Sequence, residues 1–167
     1  MSLDKLDHRK IVLVPGVLAL LPEYAGLEDP VADLRAACLD AVGWLTRDVT
    51  VLGYPQGDRI ARSLLDAAPA RSGAAPSYLV VGNGTARRSE KAPGHLDERA
   101  AAYDDDLHAW LTGRGPAPDR DLGAELLAEL RGLHAAAETL GPFGEPVTVD
   151  YDDDPFGVRY WVLRWEW

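Results

Sequence analysis

Apolar positions along the chain switch between two periods. Lys10 to Val14 is a short β-branched run closed by Pro15-Gly16, the pattern of a buried strand opening into a loop. Asp29-Pro30 then supplies a helix start, with aspartate as N-cap and proline at the first helical position. Leu34, Cys38, Ala41 and Leu45 follow at helical spacing, so the pattern predicts a helix from Pro30 to about Leu45 with one face on a sheet. Val49 to Leu52 reads as a second strand, Gly53-Tyr54-Pro55 as a turn, and Ile60, Leu64 and Leu65 as a helix reaching about Ala68. After the small, Pro-containing loop Pro69 to Pro76, Tyr78 to Val81 is apolar throughout, as expected of a central parallel strand.

Asp97 caps a further predicted helix whose stripe is Ala100, Tyr103, Leu107 and Trp110-Leu111. Leu122, Leu126, Leu130, Leu133, Ala137 and Leu140 predict one long amphipathic helix ended by Gly141-Pro142. Val147 to Tyr151 and Val158 to Trp165 flank Asp152 to Gly157 and read as a hairpin. Strands alternating with helices, followed by a terminal hairpin, predict one α/β domain over residues 1–167. Its expected form is a three-layer sandwich with a mixed, mostly parallel sheet.

Composition narrows the partners. A 47% hydrophobic, 26% charged chain can bury a core. The run Val12 to Leu21 is broken by Pro15-Gly16, so it reads neither as a membrane span nor as a signal peptide. A net charge of -10 argues against nucleic acid and against anionic membrane surfaces. The lone Cys38 cannot form an internal disulfide, which fits a reducing, cytoplasmic setting, and its helical position makes it a small buried hydrophobe.

The stretch Gly82 to Asp105, GNGTARRSEKAPGHLDERAAAYDD, carries the most chemistry. A buried strand delivers a glycine-bracketed turn to the carboxyl edge of the sheet, where open α/β folds hold ligands. Arg87, Arg88, Glu90 and Lys91 follow. Two readings stand: a ligand-facing loop, or arginines paired with nearby carboxylates.

This stretch resembles the class III extradiol dioxygenases, in their subunit-B-like branch. The family carries a Gly-Asp-Leu-Ser-His-like turn where Gly82 to Ala86 stands, a Pro-Asp-Ala-Pro-Gly-like segment at Glu90 to Gly94, and an Ala-x-x-[Phe/Tyr]-Asp helix start at Ala101 to Asp104. The likeness is closer still to short, uncharacterised actinobacterial relatives. Tyr151 to Tyr160 resembles the family's closing hairpin, and Val14-Pro15 with Leu21-Pro22-Glu23 its opening. Residues 44–76 resemble it least and look shortened by a strand and a helix.

The resemblance implies a ferrous ion held by two histidines and a carboxylate, with a third histidine as acid and base. Those positions are empty of histidine here. Pro15-Gly16-Val17-Leu18 follows the first strand, the second ligand falls in the shortened region, and Ala86 ends the turn. The chain is therefore expected to be non-catalytic and to need no cofactor. The expected site is an anion-binding pocket at Asn83, Thr85, Arg87, Arg88 and Lys91 that takes a small organic acid. A second expectation is a relocated divalent-metal site from His95, Asp104, His108 and the Asp152–Asp154 run, with Fe(II) or a harder ion. His8 and His134 read as surface or satisfied helix residues. A third is an interaction protein that oligomerises through its Trp-rich hairpin. Trp161, Leu163, Trp165 and Trp167 share one strand face, which reads as core except at a half-covered Trp167.

Overall fold

The computed structural model describes residues 9–167; His8 lies outside the described residues. Five strands form one sheet: β1 (Lys10–Val14), β2 (Val49–Leu52), β3 (Ser77–Val81), β4 (Thr148–Asp153) and β5 (Tyr160–Glu166). Their order is β2-β3-β1-β5-β4. The β2, β3 and β1 strands run parallel, while β5 is antiparallel to both β1 and β4. A register shift between Val149 and Tyr151 bends the outer strand β4.

Five helices cover the sheet: α1 (Ala32–Gly43), α2 (Pro55–Ala67), α3 (Ala100–Leu111), α4 (Arg120–Glu125) and α5 (Arg131–Leu140). Strand alternation divides the core into two layers. Val12, Val14, Leu79, Val81, Tyr160 and Val162 face α1 and α2, where Leu34, Cys38, Ile60 and Leu64 are buried. Ile11, Leu13, Val80, Trp161, Leu163 and Trp165 face α3, α4 and α5. The result is a three-layer α/β/α sandwich with a mixed sheet. No helix among the described residues is long and apolar enough to cross a membrane.

Local signals account for several boundaries. Asp29 accepts the Val31 amide at 3.1 Å just before α1, while its second oxygen takes Arg35 Nε at 2.7 Å. Arg35 also donates to the carbonyls of Leu20 and Ala19, which fastens the loop after β1 to α1. Gly53-Tyr54-Pro55, expected as a turn, instead starts α2, with Pro55 in the first helical turn, where no N–H is missed. Asp97 accepts the Arg99 amide at 2.9 Å ahead of α3.

The long helix expected over Leu122 to Leu140 is two helices. Its interruption is stabilised from outside. The Asn83 amide donates to Glu129 O and the Glu129 amide returns the bond to Asn83 O, while Ala86 N donates to Leu126 O. Leu127 takes a left-handed φ of 59° to make the corner. Leu126, Leu130 and Leu133 stay buried across the break, so the apolar spacing survives although the helix does not.

Candidate functional site

The carboxyl ends of β1, β2 and β3 open on a crowded edge. Residues 126–129 run along one side of the turn after β3, and the hairpin lies along the other. Gly84 N donates to Arg159 O, Arg159 N to Thr85 O and Arg88 N to Gly157 O, each at 2.9–3.0 Å. The turn is thus held on both sides, as a buried loop must be for its backbone groups to be satisfied.

Beneath it sits Asp104, a helix residue 2% exposed. Its carboxylate accepts the Thr85 amide at 2.9 Å, the Thr85 hydroxyl at 2.8 Å and Arg88 Nη1 at 3.0 Å. Arg88 Nε continues to Asp154 at 2.7 Å. Burial holds the Asp104 carboxyl above the usual carboxylate range even though these donors act in the opposite sense. Thr85, Arg88, Asp104 and Asp154 therefore form an internal clamp joining the turn, α3 and the hairpin.

Of the residues expected to bind an anion, Thr85 and Arg88 are committed to that clamp. Arg87 reaches the Glu125 carbonyl at 3.1 Å and approaches that of His95, and Lys91 is exposed without an ion pair among the described residues. Asn83 is different. Its side chain accepts the Gly16 amide at 3.2 Å, donates to Gly84 O at 3.0 Å, and lines a cleft of about 410 Å³.

That cleft lies at the sheet edge, walled by Gly16, Tyr54, Pro55, Gln56, Asn83, Glu129 and Arg131. Both α2 and α5 begin there. The Tyr54 ring fills the space beside Gly16, where an added Cβ would stand 1.7 Å from the tyrosine oxygen. Arg131 lies over the same ring, 4.4 Å from its centroid. Its Nε and Nη2 bond Glu129, while Nη1 makes no hydrogen bond among the described residues. The Tyr54 hydroxyl also has no hydrogen-bond partner among the described residues. Burial, reinforced by Glu129, raises its pKa to about 12, so at neutral pH it is a donor. The cleft is therefore lined by the Tyr54 hydroxyl and by Arg131, with Gln56 beside them. Composition gave no sign of Tyr54 or Arg131; the Tyr54-Pro55 helix start was the available signal.

The relocated metal site is not formed. Among the described residues, no three His, Cys, Asp or Glu side chains gather to hold a metal ion. Asp104 turns to Thr85 and Arg88, His95 lies near the Glu90 carbonyl at 3.3 Å, and His108 faces Trp161 with ring centroids 5.9 Å apart. Asp152 pairs with Arg159 and Asp154 with Arg88. The tryptophan face is likewise internal. Trp161 and Trp165 are buried, Phe143 packs on Trp165 at 5.2 Å, and Trp167 is half-buried with its ring nearly perpendicular to that of Trp165. Trp161 and Trp165 thus offer no surface to a partner. Cys38 is fully buried, which pushes its thiol well above the ordinary range and leaves it inert.

No family model, no curated protein and no solved structure matches this chain.

Proposed function

We propose that the chain is a non-catalytic relative of the class III extradiol dioxygenases that binds a small organic acid in the cleft at the carboxyl edge of its sheet. The pairing of Tyr54 and Arg131 carries this reading. A protonated hydroxyl and the remaining Nη1 of a guanidinium otherwise engaged with Glu129 suit a carboxylate, which accepts from both at once. Asn83 fixes the floor by holding Gly16.

Loss of the chemistry is argued from the positions themselves. Pro15-Gly16-Val17-Leu18 and Ala86 stand where the resemblance calls for histidines, and Tyr54 fills the room a side chain at Gly16 would need. A side chain at Gly16 would require displacing the ring. The site so read is shifted from Arg87, Arg88 and Lys91 toward Asn83 and Arg131, because Arg88 is spent on Asp104.

Thermal-shift measurements with a panel of short organic acids test the reading. Wild type and Arg87→Ala are expected to be stabilised by the same acids, and Arg131→Gln is expected to lose the response. Stabilisation that depends on Arg87 and not on Arg131 would move the site back to the loop. Oxygen uptake with catechols in the presence of ferrous iron is expected to stay at background; ring cleavage would overturn the non-catalytic part.

A further inference from the structure

Arg131 and Glu129 belong to two hollows. On one side they wall the sheet-edge cleft; on the other they begin a groove of about 480 Å³ between α4 and α5. Ala124, Ala128, Leu130 and Ala135 give this groove an apolar floor, and His134 stands on it one helical turn beyond Arg131. Arg120 and Glu138 bridge the rim at 3.6 Å, a loose contact between two exposed side chains.

His134 is the unusual member. Its ring packs against Trp110 with centroids 4.9 Å apart, which fixes its orientation. Its Nε2 is shut off from water and has no hydrogen-bond partner among the described residues. A buried polar atom left unpaired is costly, so any group able to reach and satisfy it is favoured. Arg120 and Glu138 line the same groove as His134. Burial and the nearby Arg120 lower the His134 pKa, so the ring is neutral near pH 7, and a hydroxyl matches Nε2 in either tautomer.

Resting on the organic-acid reading of the cleft, we propose that cleft and groove form one continuous site for an elongated carboxylic acid with a second polar oxygen. The carboxylate lies at Tyr54 and Arg131, the aliphatic body on the alanine floor, and the second oxygen at His134 Nε2. Residues three apart on a helix have Cβ atoms about 5–6 Å apart, and an acid of several carbons is the proposed length.

Calorimetric titration of the full chain with acetate, hexanoate and 6-hydroxyhexanoate tests this. The hydroxy acid is expected to bind at least about fivefold tighter than hexanoate, and hexanoate tighter than acetate, one buried hydrogen bond being worth about that factor. His134→Phe keeps the stacking on Trp110 and should reduce the hydroxy acid to the affinity of hexanoate. Ala124→Phe, at an exposed position on α4, should weaken both six-carbon acids and leave acetate unchanged. Equal affinity for hexanoate and its hydroxy form overturns the proposal, as does indifference of both six-carbon acids to Ala124→Phe. In either case acetate binding leaves the cleft reading standing. Failure of all three acids to bind removes both.

Discussion

Arg88 donates to the buried carboxylate of Asp104 at 3.0 Å, and this bond decides what the arginine-rich turn is for. A guanidinium 17% exposed, with Nε on Asp154 and Nη1 on Asp104, is a strut between the two carboxylates. Replacing it by Met keeps the stem and leaves Asp104 without its cationic partner. Removal of one member of a buried pair costs about 3–5 kcal/mol, and the two Thr85 donors place the expected loss at the lower end of that range. Urea denaturation of Arg88→Met measures it. A loss under about 1 kcal/mol would mean that Arg88 does not support the fold.

Two aspartates are expected to respond to acid in opposite senses. Asp97 is held below the usual range, chiefly by the Arg99 guanidinium, so its contribution exists above about pH 4 and fades as pH falls. The Asp104 carboxyl is raised by burial, so its contribution is present at low pH and fades as pH rises through its folded pKa. The advantage of wild type over Arg99→Ala should therefore shrink on going from about pH 7 to about pH 3, while its advantage over Asp104→Asn should grow. Stability curves for the three proteins across that interval check both signs.

Along β5 the tryptophans divide between structure and surface. Trp165 is fully buried, and its indole N–H donates to Gly144 O at 3.0 Å. Trp165→Ala is expected to cost about 3–5 kcal/mol, as large aromatic truncations do. Trp167→Ala should cost far less. Sedimentation of Trp167→Ala should match wild type; a change of oligomeric state would restore the hairpin as an association surface.

At Leu127 a branched side chain sits in the left-handed region and is half exposed. Leu127→Gly relieves a strain of roughly 1–2 kcal/mol and forfeits part of it in chain entropy, so it should be neutral or slightly stabilising. Thermal unfolding reads the sign; a clear loss would show that the Leu127 contact with the Gly94 region outweighs the strain.

The layered fold was legible because its signals are local. Ile11 to Val14 and Tyr78 to Val81 are continuous apolar runs rich in β-branched residues, and the odd-numbered face of residues 161–165 announced the core. What escaped was set at a distance. Leu122 to Leu140 keeps helical spacing throughout, and nothing in it reveals that Asn83 will pair with Glu129 across the sheet edge. Asp104 and Arg88 were both visible as chemistry-bearing residues, but their pairing depends on how α3 docks under the turn. Tyr54 and Arg131 lie 77 positions apart in the chain and meet because α2 and α5 start at the same edge.

Acetate titration followed by amide NMR probes the cleft most directly. Shifts are expected to centre on Gly16, Gln56, Asn83 and Gly132, and to vanish in Arg131→Gln. Shifts centred on Arg87 to Lys91, or unchanged in Arg131→Gln, would contradict binding of an organic acid between Tyr54 and Arg131.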